Sequence, residues 1–363
     1  MKAVIAGAGV AGLGIGWRLA QAGVATTILE RDEPGRGASF AAAGMIAATA
    51  EAADAPPAEA ALAERARALW PGFAAELEAA AGIAIDYRRN GALMLGPRPA
   101  TLPPGCAWLT EVALTARAPM LAAAGGALWA PREAQVDNRA LARALAEAFR
   151  RAGGRLLTGQ TVTGIEPGAA ITAHGRHAAD AVIVAAGPWS GALGLPVRPV
   201  KGQMISLMPP SKMEGSGALL PGPVIWGNGV YLVPRADRLL VGATMEEAGF
   251  DMSLADAVRG DLRARAEALI PGLKAWTLAE HWAGLRPASP DGLPLLGRLD
   301  SSHEKGGVFA AAGQYRNGIL FAPAIADHLR DLVLGRAAVI PEFDPRRFAD
   351  AAAVCRDGSS GSP

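Results

Sequence analysis

The sequence predicts an α/β fold in which a parallel sheet of βαβ construction is interrupted by an inserted, largely antiparallel sheet. Three observations carry that expectation: a glycine-rich βαβ unit at the N-terminus, a β-rich stretch from Arg198 to Ala243, and a return to α/β texture after Gly284. The division expected is a discontinuous first domain of 1–82, 135–198 and 285–349, a second domain of 83–134 and 199–284, and a C-terminal tail of 350–363.

The opening stretch, MKAVIAGAGVAGLGIGWRLAQAGVATTILER, reads strand, glycine turn, helix, strand, acid. With 45 Gly in 363 residues, chance alone yields roughly 0.7 matches to G-x-G-x-x-G, so the context has to carry the assignment. Here the context is complete. Gly7 permits a tight turn, Gly9 lets the backbone approach a pyrophosphate, and Gly12 lets the helix pack on the strand. The helix starting near Val10 turns unpaired N–H groups and its positive end toward that phosphate. Glu30, eighteen residues beyond Gly12, is placed to accept from a ribose hydroxyl. This is a Rossmann-like dinucleotide site, and NAD and FAD fit it equally at this point. A secretory signal is the rival reading, because Lys2 precedes an apolar run to Trp17. Five glycines in that run, the lack of an A-x-A site and the strand-plus-acid continuation count against it.

Bulk properties narrow the class. Hydrophobic content of 51% and charged content of 19% suit a well-buried globular enzyme, and a net charge of +1 gives no reason to expect nucleic acid or an acidic surface as partner. Cys106 and Cys355 are far apart and in no metal spacing, which points to a reducing, cytoplasmic setting and no metal. The longest apolar run, Ala181 to Val197, is broken by Gly187-Pro188, Ser190 and Pro196, so no membrane span is expected. P-loop, HExxH, CxxC and GxSxG patterns are absent.

Further along, Pro34-Gly35-Arg36-Gly37 is a loop, and Ala38 to Met45 is a run of small residues that reads either as a surface for something flat or as an Ala-rich helix turn. Glu51 to Pro57 reads as a linker. Ala58 to Ala81 is helical, with an interruption near Pro71-Gly72 and a stop at Gly82. Asn90-Gly91 between short strand-like runs signals a hairpin. Asp137 caps a helix from Asn138 that ends at Gly153-Gly154. Arg155 to Leu157 and Thr161 to Ile165 are strands. Ala181 to Ala186 is a buried strand ending in Ala186-Gly187-Pro188-Trp189, whose small residues suit a second backbone approach to a cofactor. Gly227-Asn228-Gly229 fits an antiparallel turn, and Ser253 caps a helix to Leu269.

Three later stretches could carry chemistry. In HWAGLRPASPDGLPLLG, Arg286 sits between a strand-like run and a Pro-rich turn. A guanidinium fork there suits a carboxylate, although pairing with Asp291 at the surface is the plainer alternative. GQYRNGILFAP opens a helix from Ala324 to Leu334, and a glycine-bearing turn at a helix start can stabilise negative charge. Tyr231 in YLVPR could orient a carboxylate or be a core tyrosine. The histidines form no triad or metal pattern.

Taken in order, GAGVAG…ILER, AAAGM, VDNRALARAL, VIVAAGPWS, RPVKGQM, YLVPR…GATME, GLRPASPDGLPLLG and GQYRNGILFAP together resemble the D-amino-acid-oxidase-type flavoenzymes. Among those, the set is most similar to the glycine oxidases of thiamine biosynthesis, over about residues 1–349. The resemblance implies that the first domain is a Rossmann-like FAD-binding domain and the inserted sheet the substrate domain. Val10 and Ala11 would meet the pyrophosphate, with Gly7, Gly9 and Gly12 forming the turn, and Glu30 and Arg31 would meet the adenosine ribose. Ala38, Ser39, Ala43, Gly44 and Met45 would line the ribityl and flavin side, Val162 the adenine, and Ala186, Gly187 and Trp189 the second approach. Gly313 and Asn317, Gly318, Ile319, Leu320, Phe321, Ala322 and Pro323 would lie against the isoalloxazine.

Arg286 and Tyr231 match the carboxylate-binding pair, and Arg316 and Met245 the substrate end. Gln314 departs from the family's frequent His. No cysteine lies in the late flavin-binding region, so FAD is expected to be non-covalent. The implied reaction is oxidative deamination of glycine or a similarly small amino acid, with oxygen as acceptor and keto acid, ammonia and hydrogen peroxide as products; a homo-oligomer is compatible with it. Two alternatives stand beside it: a D-amino-acid or secondary-amine dehydrogenase or oxidase with another acceptor, and a catalytically silent FAD-binding subunit.

Overall fold

The computed structural model describes residues 1–51, 55–210, 222–300 and 307–348. The expected tail, 350–363 with Cys355, lies outside them. The chain forms two large sheets. The first has six strands in the order Leu295–Arg298, Gly307–Ala312, Ala181–Val184, Lys2–Ala6, Ala25–Leu29, Arg155–Leu157. All its pairings are parallel except that of Leu295–Arg298 with Gly307–Ala312. Ala181–Val184 is buried at every position, as a central parallel strand covered on both faces must be.

Helices Val10–Gln21, Asn138–Arg151 and Gly318–Val333 pack on this sheet. Trp17, Phe149, Phe309, Phe321, Ile5 and Ile28 fill the space between them. Small residues set the approach. A Cβ on Gly16 would lie 2.7 Å from Ile28 Cδ1, and one on Gly14 3.4 Å from Ala326 Cβ.

The second sheet has eight strands, in the order Thr277–Ala288, Arg198–Met208, Leu239–Gly242, Val230–Pro234, Val224–Gly227, Ala92–Leu95, Gly126–Ala130, Ala107–Thr110. It is antiparallel apart from the pairing of Val224–Gly227 with Ala92–Leu95. The two long strands Arg198–Met208 and Thr277–Ala288 run alongside each other, with Lys201 opposite Leu285 and Gly202 opposite Gly284. The Val224–Gly227/Val230–Pro234 hairpin turns through Asn228 and Gly229, at φ 50° and 71°, as expected for a two-residue turn.

Several local expectations fail for identifiable reasons. Pro57–Ala81 is one continuous helix with Pro71 inside it. An interior proline costs about 3 kcal/mol. Its neighbours Trp70 and Phe73 are buried against the core, Trp70 stacks on Tyr87, and the Trp70 indole donates to the Leu320 carbonyl at 2.9 Å. Asn90-Gly91 is not a hairpin: Arg88 bridges to Gln135, and Gly91 N–H donates to the Glu133 carbonyl at 3.0 Å. The turn therefore hands the chain from one layer to the next. Ser253 does not cap the helix Asp256–Leu269; its N–H and hydroxyl both go to Asp251. The last large helix starts at Gly318, six residues before the expected Ala324, and accommodates Pro323 within it. The strand Ala169–Thr172, which pairs with Val162–Glu166 on one side and with Gly175–Ala178 on the other, was hidden, like Gly175–Ala178, by its short length. No described helix is long and apolar enough to cross a membrane.

Candidate active site

A continuous cavity of about 500 Å³ runs along the C-terminal edge of the parallel sheet and on to the face of the antiparallel one. Gly7, Gly9, Val10, Ala11, Glu30, Arg31 and Val162 line one end; Tyr231, Arg286 and Arg316 line the other. Ala38, Ser39, Ala43, Gly44, Met45, Ala186, Gly187, Trp189, Asn317, Gly318 and Ile319 form the wall between.

The glycine turn is packed as the spacing requires. Gly7 has φ +106°, and a Cβ there would lie 2.5 Å from the Ala185 carbonyl. A Cβ on Gly12 would collide with the Gly7 carbonyl, so Gly12 holds the helix against the turn without reaching the cavity. Gly9 has more room, its nearest neighbour being Ser39 Oγ at 3.3 Å from a Cβ. The helix beginning at Val10 has no acidic residue in its first turn to offset its positive end. Its first N–H, on Val10, donates to Ser39 Oγ at 3.0 Å. Glu30 accepts the Ala8 N–H at 2.7 Å and the Asp32 N–H at 3.1 Å, which fixes the carboxylate at the end of its strand. The Arg31 guanidinium lies 3.5 Å above the Trp189 ring.

The small-residue stretch is a short helix, Ala38–Ala41, followed by a two-residue strand, Met45–Ile46, that pairs with Ala134–Gln135. It is clamped from behind. Arg235, 5% exposed, donates to the Ala43 carbonyl at 2.6 Å, to Gln135 Oε1 at 2.8 Å and to Asn138 Oδ1 at 3.4 Å. Burial pushes the Arg235 pKa down to about 10, so it remains a cation at neutral pH. Gly44 (φ +72°) has no space for a Cβ between Val136 and Arg235. The buried Trp282 indole donates to the Ala41 carbonyl at 3.1 Å.

At the other end, Arg286 Nη1 donates to the carbonyls of Thr244 at 3.1 Å and Lys201 at 3.3 Å. Asp291, the alternative partner, is taken by Arg347 at 2.8 Å. The guanidinium is therefore held by carbonyls and keeps donors for an incoming carboxylate. The Tyr231 hydroxyl donates toward Met204 Sδ at 3.6 Å. Burial raises the Tyr231 pKa, against the opposing pull of Arg286 beside it, which keeps the phenol a donor. Arg316 pairs with Glu51 at 2.9 Å. Burial raises the Glu51 pKa, partly offset by Arg316.

Some expected residues lie off the cavity wall. Met245 is 61% exposed, its sulfur 2.8 Å from the Tyr315 hydroxyl. Leu320, Phe321, Ala322 and Pro323 are buried in the helix behind Ile319. Gly313 turns the chain against Ser289 and Leu295. Conversely, Glu51, Gln160, Met204, Met252 and Gln314 line the cavity, and none had been singled out as lining it. Glu51 was hidden because its stretch reads as a linker, whereas it ends a one-turn helix, Ala48–Glu51.

Two features fit a flavin dinucleotide. The first is the glycine turn, where Gly7 and Gly12 have no space for a Cβ and Gly9 presents bare backbone to the cavity. The second is the Gln314 amide nitrogen, buried in the wall without a hydrogen-bond partner among the described residues. A ring system edged with carbonyl acceptors supplies what that donor lacks.

A family model described as FAD dependent oxidoreductase matches residues 2–332. The chain is 36% identical over 355 residues to a glycine oxidase of Geobacillus kaustophilus, covering 91% of this chain and 92% of that protein. The crystal structure of a glycine oxidase from that organism matches with a TM-score of 0.86 at 34% identity, covering 95% of this chain and 98% of that one. A glycine oxidase of Pseudomonas aeruginosa is 34% identical over 382 residues, covering 96% and 98%. The crystal structure of an iminodiacetate oxidase from a Chelativorans species matches with a TM-score of 0.83 at 26% identity, covering 94% and 98%.

Proposed function

The chain belongs to the FAD dependent oxidoreductase family and is an FAD-dependent amine oxidoreductase, and from that premise we propose that it deaminates glycine or a similarly small amino acid. The observation that carries this reading is the Arg286–Tyr231 pair at one end of the cavity: a cation held by carbonyls and a phenol kept protonated. Together they make a site for one carboxylate.

On this reading, Gly7, Gly9, Val10 and Ala11 would hold the pyrophosphate of FAD, Glu30 the ribose, Val162 the adenine, and Ala43 to Met45 with Asn317 to Ile319 the flavin. FAD would supply the two-electron acceptor there, with oxygen as the final acceptor and hydrogen peroxide as the product on this reading. The protein's own work is orientation. Arg286 and Tyr231 fix the carboxylate, which leaves the α-carbon one bond away with a restricted set of directions for its hydrogen. Arg235, through the Ala43 carbonyl, keeps the opposing wall from moving. The amine loses its proton before the α-hydrogen leaves as hydride, and the imine is hydrolysed by water to keto acid and ammonia. In this scheme, segments 1–82, 135–198 and 285–349 carry the cofactor side, with Arg286 and Arg316 as their contribution to the substrate end, and 83–134 and 199–284, with Tyr231, carry the substrate side.

One observation favours a secondary-amine reading beside it. A second cavity of about 330 Å³ adjoins the first and shares Glu51, Tyr315, Arg316 and Asn317 with it. Glycine would leave that space unused, whereas an N-substituent could enter it. Oxygen uptake with glycine, sarcosine and larger N-alkyl glycines separates the two: turnover confined to the N-alkyl substrates would replace the primary-amine reading.

A further inference from the structure

An amino acid held by its carboxylate leaves its ammonium to be accommodated elsewhere in the same cavity. Arg286 and Arg316 both flank that space, and two guanidinium groups repel a third cation. Among the described residues the wall contains four acidic ones, and three of them, Glu30, Asp32 and Glu33, belong to the nucleotide end. Of these, Glu51 is the one at the end that holds Tyr231, Arg286 and Arg316.

Its position is built independently of its own contacts. Glu51 ends the helix Ala48–Glu51, and that helix is fixed by the Thr49 N–H donating to Glu133 Oε1 at 3.0 Å. Glu133, 1% exposed, is held in turn by Arg67 at 3.4 Å. The Glu51 side chain is 12% exposed, yet its Arg316 partner is 47% exposed. A pair so open on one side contributes little to stability, so the ion pair does not by itself account for a carboxylate buried at this place. A group that meets a substrate does.

We propose that Glu51 receives the ammonium of the bound amino acid and takes its proton. The inference rests on the amino-acid reading above. A proton passes from the ammonium to a Glu51 carboxylate oxygen, the nitrogen keeps the electron pair, and Glu51 becomes neutral. Burial favours that neutral form. Arg316 and Arg286 oppose it, while Glu59, which accepts from Asn317 at 2.9 Å, supports it. The proton then leaves through the adjoining cavity, whose wall includes both Glu51 and Glu59. The residue thereby separates amine recognition from carboxylate recognition.

The test compares two ligands on the FAD-loaded protein. Glycine affinity is read from anaerobic flavin reduction, and acetate, which has a carboxylate and no amine, from the perturbation of the flavin spectrum. Glu51→Gln is expected to weaken glycine binding more than tenfold and to leave acetate binding unchanged or tighter, with Glu51→Asp between it and the parent. Glycine and acetate weakening by the same factor, or neither changing, overturns the proposal, since a structural residue would affect both alike. If Glu51→Gln fails to hold FAD, Glu51→Asp carries the comparison; loss of FAD from both assigns Glu51 to cofactor retention and overturns the proposal as well. A parent protein reduced by no amino acid sinks the amino-acid reading and this inference together. A parent reduced by glycine with an indistinguishable Glu51→Gln sinks this inference alone.

Discussion

At the scale of single residues, the guanidinium group that lines the cavity and the one buried behind its wall have opposite duties. Arg286 is held by the carbonyls of Lys201 and Thr244 and has donors left for a ligand. Arg286→Ala should raise KM for glycine by about 1.5–3 kcal/mol-equivalents, roughly 10- to 150-fold, with kcat less affected. Steady-state kinetics that leave KM unchanged would remove Arg286 from the site. Arg235 instead spends its donors on Ala43, Gln135 and Asn138. Arg235→Met leaves those acceptors unpaired, and should cost about 1–3 kcal/mol of stability and weaken FAD binding, with Arg235→Lys recovering part of both. Thermal unfolding and FAD titration of the two variants check this, and a Met variant with parental FAD affinity would contradict it. The place of Arg286 and Tyr231 in the cavity wall was legible through the family motifs in which they stand; their residue types alone left a surface ion pair and a core tyrosine open. Glu51 and Arg235 were not legible, because what defines them is burial between two sheets, and burial across such distances leaves no local pattern.

At the scale of elements, the glycine turn shows why one motif contains positions of different kinds. Gly12 has the Gly7 carbonyl where a Cβ would go, whereas Gly9 has only Ser39 Oγ, at 3.3 Å. Gly12→Ala should therefore destabilise the fold itself, by about 1–3 kcal/mol or more. Gly9→Ala should fold normally and lose FAD affinity about tenfold or more, 1.4 kcal/mol. Thermal shift with and without FAD distinguishes the two, and equal effects in both assays would contradict the assignment. The βαβ unit was readable because strand, turn, helix and acid follow one another within a short span. Pro71 and Asn90-Gly91 misled for the same physical reason. Each is a strong local signal overridden by tertiary partners: Trp70 and Phe73 against the core in one case, Gln135 and Glu133 in the other.

At the scale of the whole molecule, the parallel sheet and the antiparallel sheet meet along the cavity, and the chain crosses between them repeatedly. The alternation was visible as texture. Which strand neighbours which was not, because pairings such as Val224–Gly227 with Ala92–Leu95 join segments far apart in sequence. The end of the described chain is tied back by charge: Arg347 holds Asp291 at 2.8 and 3.0 Å, and Arg346 holds Asp344. Burial alone would raise the Asp291 pKa, but the hydrogen bonds from Arg347 win and keep it below the ordinary 3.8. A depressed carboxylate contributes stability above 3.8 that is lost as pH falls through its folded value. Protease cleavage near Pro341–Arg347 should therefore rise in acid, and Asp291→Asn should bring that sensitivity to neutral pH; cleavage independent of pH would contradict the tie. The FAD is expected to be released entirely by acid precipitation, and yellow colour retained in the pellet would contradict non-covalent binding. The central claim, a cavity that binds a small amino acid by its carboxylate against FAD, is tested most directly by anaerobic flavin reduction. The panel is glycine, sarcosine, N-alkyl glycines and D-amino acids, each added to the FAD-loaded protein. The account predicts full bleaching of the flavin bands by glycine and the smaller amino acids. A flavin that none of them bleaches would contradict it.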